Sequence, residues 1–205
     1  MKKSLLWIIL VFFAVIIFIF FIKINYKKNI FGNNESNKSV KEIEAYILNI
    51  NSYEATLDIT VNSNKNSNKY LLKQSYDSKN KTDIQTIIKP ENIEGIEIIN
   101  RNGDVEINNS KLNLSQIYSN YPYLSNNVLW LNAFLEDYKK NSESSKVHEE
   151  DEYVVMEVSN GINNYYYTKK LYLEKGTGIP KKMVVQDNNK KDTIYISYRE
   201  IIINK

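Results

Sequence analysis

The stretch "EKGTGIPKKM", Glu174 to Met183, decides how the chain is read. Two glycines one residue apart, followed by lysines, could cradle a phosphate or could turn one strand into the next. A nucleotide loop of the Gly-x4-Gly-Lys-Ser/Thr type needs a strand before it and a helix N-terminus after it. Here Gly178 is followed by Ile179-Pro180, and "KKMVVQD" beyond has strand character and no helix cap. A dinucleotide fingerprint fails too, because there is neither a third glycine nor a following helix. Gly176 and Gly178 supply the unusual backbone angles of a tight connection and Pro180 stiffens its exit. The stretch predicts a hairpin.

Working outward from it, the flanks read as strands at Tyr165–Glu174, Lys181–Asp187 and Thr193–Ile203. The same pattern is clearest near the start of the domain. In "YEATLDITV", Tyr53, Ala55, Leu57, Ile59 and Val61 alternate with polar residues, giving one buried and one wet face as in an antiparallel sheet. Lys69–Asp77, Lys81–Pro90, Gly95–Asn100, Asp104–Asn108 and Tyr153–Ser159 continue it, with Asn102-Gly103 as a tight-hairpin signal. Val40, Ile43, Ile47 and Ile50 fall on one helical face, with Ser39 as cap and Glu42 near the start. A second helix is predicted from a cap at Ser125, with Val128, Leu131, Phe134, Leu135 and Tyr138 on one stripe and Trp130 off it. The segment from Asn141 to Glu152 reads as a charged, exposed linker. About nine strands and two or three helices give an α+β class built on a meandering antiparallel sheet.

Before the domain, Leu5 to Ile22 ("LLWIILVFFAVIIFIFFI") has no polar or charged residue and is long enough to cross a bilayer as one helix. It ends in lysines rather than a small-x-small cleavage site, so it reads as a retained anchor. Lysines on both flanks leave the orientation unsettled by charge; a single N-terminal anchor with a long following domain is expected to export that domain. Residues 1–28 form the anchor with basic flanks, 29–39 a polar spacer, and 40–205 the domain. Five of the 27 basic residues stand in the first 28, with no acid among them, so the rest carries 22 basic and 24 acidic residues. The net +3 of the chain therefore belongs to the membrane flanks, and nucleic-acid binding is not expected.

Few catalytic constellations are open to this composition. With no cysteine there is no disulfide framework, thiolate metal site or thiol nucleophile. The one histidine, His148, sits in "KVHEEDE", read as a solvated acidic loop without the spaced ligands of a calcium site. Glu54 and Asp58 share the wet face of the first strand, where nothing raises a carboxylate pKa. No cofactor, metal or catalytic residue is predicted, and the chain reads as a non-enzyme. Tyr165, Tyr166 and Tyr167 put rings on both faces of one strand, which suits packing and equally a contact surface. Together with Trp130, Leu131, Phe134 and Leu135 of the second helix they are the candidate partner or ligand contacts.

The closing segment "LYLEKGTGIPKKMVVQDNNKKDTIYISYREIIIN" resembles the last strands of the LolA/LolB-like lipoprotein-carrier superfamily. Its acidic strand end, Gly-x-Pro turn and Lys-Met-x-x-x-Asp strand all match that pattern. The opening helix and "INSYEATLDITV" fit as well, so the resemblance spans most of 40–205. It implies a strongly curved antiparallel sheet, an open half-barrel with helices over its concave face, that binds acyl chains or protein partners. Within the superfamily the chain is most similar to the clostridial spore-germination proteins of the GerS type, although those are lipoproteins and this chain has no lipid-bearing cysteine. That likeness implies a protein partner such as a cortex amidase. The other expectation is a carrier or sensor with an acyl chain in the concave face. In either case the domain is expected outside the cytoplasm, at the cell surface or between forespore membranes.

Overall fold

In the computed structural model the described residues are 38–119, 128–159 and 167–204. The expected anchor, Leu5–Ile22, lies outside them, and among the described residues no helix is long and apolar enough to cross a membrane. The described residues include two α-helices, α1 (Val40–Leu48) and α2 (Leu131–Lys140). Six strands follow α1: β1 (Ser52–Asn62), β2 (Ser67–Asp77), β3 (Thr82–Lys89), β4 (Ile96–Arg101), β5 (Asp104–Asn109) and β6 (Leu114–Tyr118). After α2 come β7 (Lys146–Glu150), β8 (Tyr153–Ser159), β9 (Thr168–Glu174), β10 (Pro180–Gln186) and β11 (Asp192–Asn204).

The eleven strands of the described residues form one antiparallel sheet in the order β6-β5-β4-β3-β2-β1-β11-β10-β9-β8-β7. Each half is a meander, as the short polar turns require, and the first and last strands meet in the middle. The two edge strands β6 and β7 are consecutive in sequence. Between them in sequence lies α2, whose apolar side packs on the core.

Why the helices sit where they do follows from the alternation. Tyr53, Ala55, Leu57 and Ile59 of β1 face the same core as Val154, Met156 and Val158 of β8, Leu171 and Leu173 of β9, and Met183 and Val185 of β10. Ile43 and Ile47 of α1 and Leu131, Phe134 and Leu135 of α2 complete it. The sheet thus curves around one inner face, with both helices over it. In β11 the alternation would expel its last apolar residues, but a bulge opposite Thr56/Leu57 changes the parity. Ile194, Ile196 and Tyr198 face inward before the bulge, and Ile201 and Ile203 pack inward after it. Arg199, at the bulge, donates from Nε and Nη2 to the Asp58 carboxylate, the Nη2 bond being 2.7 Å.

The opening stretch is a hairpin between β9 and β10. Gly176 and Gly178 both have positive φ, and Gly178 N–H donates to the Glu174 carbonyl at 2.9 Å. At Gly178 the missing side chain also makes room for α1. A Cβ there would stand 3.1 Å from Tyr46 Cδ1 and 3.4 Å from Ile43 Cγ2. Lys38 Nζ reaches over to the Thr177 carbonyl at 3.1 Å, so the turn and the start of α1 are tied together.

Three expectations change. His148 and its acidic neighbours do not lie in a loop; Lys146–Glu150 is the edge strand β7, in which only Val147 packs on the core. A strand with one inward residue shows no period-two signal, and its charges keep the edge from pairing with other chains. The strand β6 is an addition to the expected set, and it leaves no pattern in the sequence because all five of its residues are exposed. Helix α2 begins at Leu131, with Trp130 as its N-cap residue. Ser125, the expected cap, lies outside the described residues.

Candidate functional site

The inner face is apolar on one half and polar on the other, and β3 marks the change. Along "TDIQTIIK" it is Asp83 and Gln85 that are buried, at 5 % and 2 % exposure, while Ile84 between them is turned to the outer face. That is the reverse of the ordinary arrangement, since burying a polar group is unfavourable unless it is paired or put to use. Strand register places Tyr76, Asp83, Asn100 and Val105 side by side across β2 to β5. The N-terminal turn of α2 covers this row.

Here a cleft of about 420 Å³ opens between α2 and β2–β5, lined among others by Tyr76, Asp83, Asn100, Trp130, Asn132 and Glu136. Burial lifts the Asp83 carboxyl to about 7, opposed by a hydrogen bond from Asn132 and reinforced by the charge of Glu136. Asp83 Oδ1, Asn100 Oδ1 and Trp130 Nε1 are buried atoms without a hydrogen-bond partner among the described residues. At the cleft's far side Lys169, 1 % exposed, donates to Asp137 Oδ2 at 2.6 Å. Removing Asp137 would leave the Lys169 charge buried without this partner, which is strongly destabilising.

Beside the cleft a buried polar network fixes α2. Trp130 has no side chain that can cap a helix, so the cap comes from β2. Gln74 Oε1 accepts from the Tyr53 hydroxyl at 2.7 Å and from Leu131 N–H at 3.5 Å, and Gln74 Nε2 donates to the Leu129 carbonyl at 3.3 Å. At the other end the Tyr138 hydroxyl donates to Glu44 Oε1 at 2.6 Å and links α2 to α1.

The candidate contact residues fall in different places. Leu131, Phe134 and Leu135 are core residues beneath α2. Trp130 is buried to 3 % exposure and lines the cleft. Tyr167 is exposed just before β9, and Tyr165 and Tyr166 lie outside the described residues. Sequence reading missed Asp83, Asn100 and Gln74; the usable signal was an acid and an amide at alternate positions of β3 in line with Ile87, which packs on the core. Exposed apolar side chains gather instead at β6, where Leu112, Leu114 and Ile117 are each at least 60 % exposed beside Tyr118. Among the described residues no group of three or more His, Asp or Glu could hold a metal ion.

The family described as "Sporulation protein YdcC-like" matches residues 2–205. The chain belongs to the YdcC-like sporulation family. No curated protein sequence matches this YdcC-like chain. Among solved structures, an uncharacterised conserved protein from Thermus thermophilus has the same fold at 12 % identity, TM-score 0.52, covering 82 % of this chain and 89 % of that one. A chain from the structure of the Clostridioides difficile CwlD amidase in complex with the GerS lipoprotein is 25 % identical over 80 % of this chain and 90 % of its own, TM-score 0.46. A LolA superfamily protein from Nitrosomonas europaea is 12 % identical over 82 % and 94 %, TM-score 0.42. The spore-related branch of the resemblance read in the closing strands agrees with the sporulation family to which the chain belongs.

Proposed function

We propose that this YdcC-like protein is a membrane-tethered, non-enzymatic interaction module that acts outside the cytoplasm during sporulation and holds a cell-envelope protein through its β6 edge. The observation that carries the reading is the contrast between the two edges of the sheet. β7 is guarded by Lys146, His148, Glu149 and Glu150, whereas β6 carries Leu114 and Ile117 exposed and, among the described residues, has strand pairing on one side only. An unguarded apolar edge offers both backbone groups and side-chain anchors to an added strand. The anchor, Leu5–Ile22, would hold that edge near a partner on the same membrane surface.

A carrier of acyl chains needs an empty apolar cavity of about 300 Å³ or more. Against it, the apolar half of the inner face is occupied by the protein's own side chains, with Ile43, Ile47, Leu131 and Phe134 fully buried against the sheet. The partner class to test first is a cortex amidase, the class found with the clostridial lipoprotein. Tagged full-length chain, isolated from sporulating cells, should retain a cell-wall amidase, and Ile117→Lys should abolish retention while the protein stays folded. Equal retention by the variant would overturn the β6 surface. An acyl chain in the purified protein by mass spectrometry, with no enzyme retained, would favour the carrier instead.

A further inference from the structure

We infer that the cleft between α2 and β2–β5 is a binding site for a neutral saccharide, recognised through hydroxyl or acetamido groups by Asp83, Asn100 and Trp130. The site goes beyond the β6 contact and shares no residue with it. It stands on two nearly buried side chains, Asp83 at 5 % and Trp130 at 3 % exposure, each with a polar atom that no group among the described residues satisfies and each lining the same cleft. Asn100 lies directly opposite Asp83 in the β3–β4 pairing and adds a third such atom, Oδ1. A buried polar atom without a partner lowers stability by its full desolvation penalty, so three in one cleft are retained against stability.

The unsatisfied set defines the ligand. Asp83 Oδ1 and Asn100 Oδ1 lack a donor, and the Trp130 indole N–H lacks an acceptor. A hydroxyl group supplies both roles from one atom, and an acetamido group supplies them from its N–H and its carbonyl. A simple cation or anion supplies only one. Charge points the same way: Lys81, Lys140 and Lys169 line the cleft together with Asp83, Glu136 and Asp137, so little net charge of either sign is presented to an ionic ligand. Tyr76 and Trp130 add aromatic surface. At about 420 Å³ the cleft lies within the range of small-molecule sites, about 300–1,000 Å³.

The test uses the full-length chain in a detergent without a sugar headgroup, titrated with chitotriose and, separately, with cellotriose, which lacks the acetamido groups. The readout is the Trp130 indole N–H resonance in ¹H–¹⁵N spectra, assigned by its loss in Trp130→Phe. Saturable movement of that resonance is expected, with a dissociation constant on the order of 1 mM or tighter. Asn100→Ala should weaken binding about tenfold, as loss of one good hydrogen bond does. Ile117→Lys, on the β6 edge, should bind as the natural chain does, which separates this site from the partner surface. Movement with chitotriose alone assigns the acetamido group, and movement with both assigns the ring hydroxyls. No saturable movement with either sugar would overturn the proposal, and so would binding that Asn100→Ala leaves unchanged.

Discussion

At the scale of single residues, Gly178 and Asp83 separate two kinds of constraint. Gly176 and Gly178 have φ of +85° and +76°, so any side chain at either meets left-handed strain of about 1–2 kcal/mol. Nothing stands within 4 Å of a Cβ at Gly176, but at Gly178 the Tyr46 ring is 3.1 Å away. Gly178→Ala should therefore destabilise by about 1–2 kcal/mol more than Gly176→Ala in urea denaturation, and Tyr46→Ala should remove most of the difference. Asp83 is a matter of protonation. Burial first, and the Glu136 charge last, raise its carboxyl from 3.8 to about 7 in the folded chain, against an Asn132 hydrogen bond. The folded state therefore holds the proton more tightly than the unfolded state. Stability from this group is fully present below pH of about 4 and is lost as pH rises to about 7. Asp83→Asn should flatten that part of the stability profile and exceed the natural chain by a few kcal/mol at about pH 8, the gap closing near pH 4. Denaturant midpoints across that range check it; parallel profiles for the two proteins would refute it.

At the scale of elements, α1 and α2 are started in different ways. α1 carries its own signal: Ser39 Oγ accepts from Glu42 N–H at 3.3 Å, and Glu42 Oε2 accepts from Ser39 N–H at 2.7 Å, a reciprocal cap that local sequence spells out. α2 takes its cap from Gln74, 57 positions away from Leu131. Gln74→Ala leaves the buried Tyr53 O–H without its acceptor, at about 1–3 kcal/mol, and takes away the acceptor of Leu131 N–H. Amide hydrogen exchange should then accelerate in the first turn of α2 and leave α1 protected. Equal acceleration in both helices would show a global loss of stability rather than a lost cap.

For the whole molecule, the pairing of β1 with β11 is the decisive contact, because it alone joins the two meanders into one sheet. Ile196, 1 % exposed in the core stretch of β11, should lose about 2–5 kcal/mol of stability on change to Ala. Ile202, on the same strand but 64 % exposed, should lose no more than about 0.5 kcal/mol. Thermal unfolding of the two variants gives the comparison. Much of this organisation is legible in the sequence: the period-two runs of β1 and β8–β11, the stripe of α1 and the hairpin at Glu174–Met183 are local patterns. β6 and β7 are not, since edge strands with five and four exposed residues have no buried face to create a period. The cleft is not either, because the apolar count of β3 favours Ile84 and not Asp83 as its inward residue.

By itself, then, the sequence determined the class of the domain, its short turns, the first helix and the role of Gly176 and Gly178, because each depends on residues within a few positions of one another. Only the tertiary structure decided the rest: which face of β3 is inner, what caps α2, where the parity of β11 changes, and that Asp83, Asn100 and Trp130 converge on one cleft. Those features are set by cross-strand register and by the path of the chain from one sheet edge to the other. Both bring together groups tens of residues apart, whose joint burial no local pattern records.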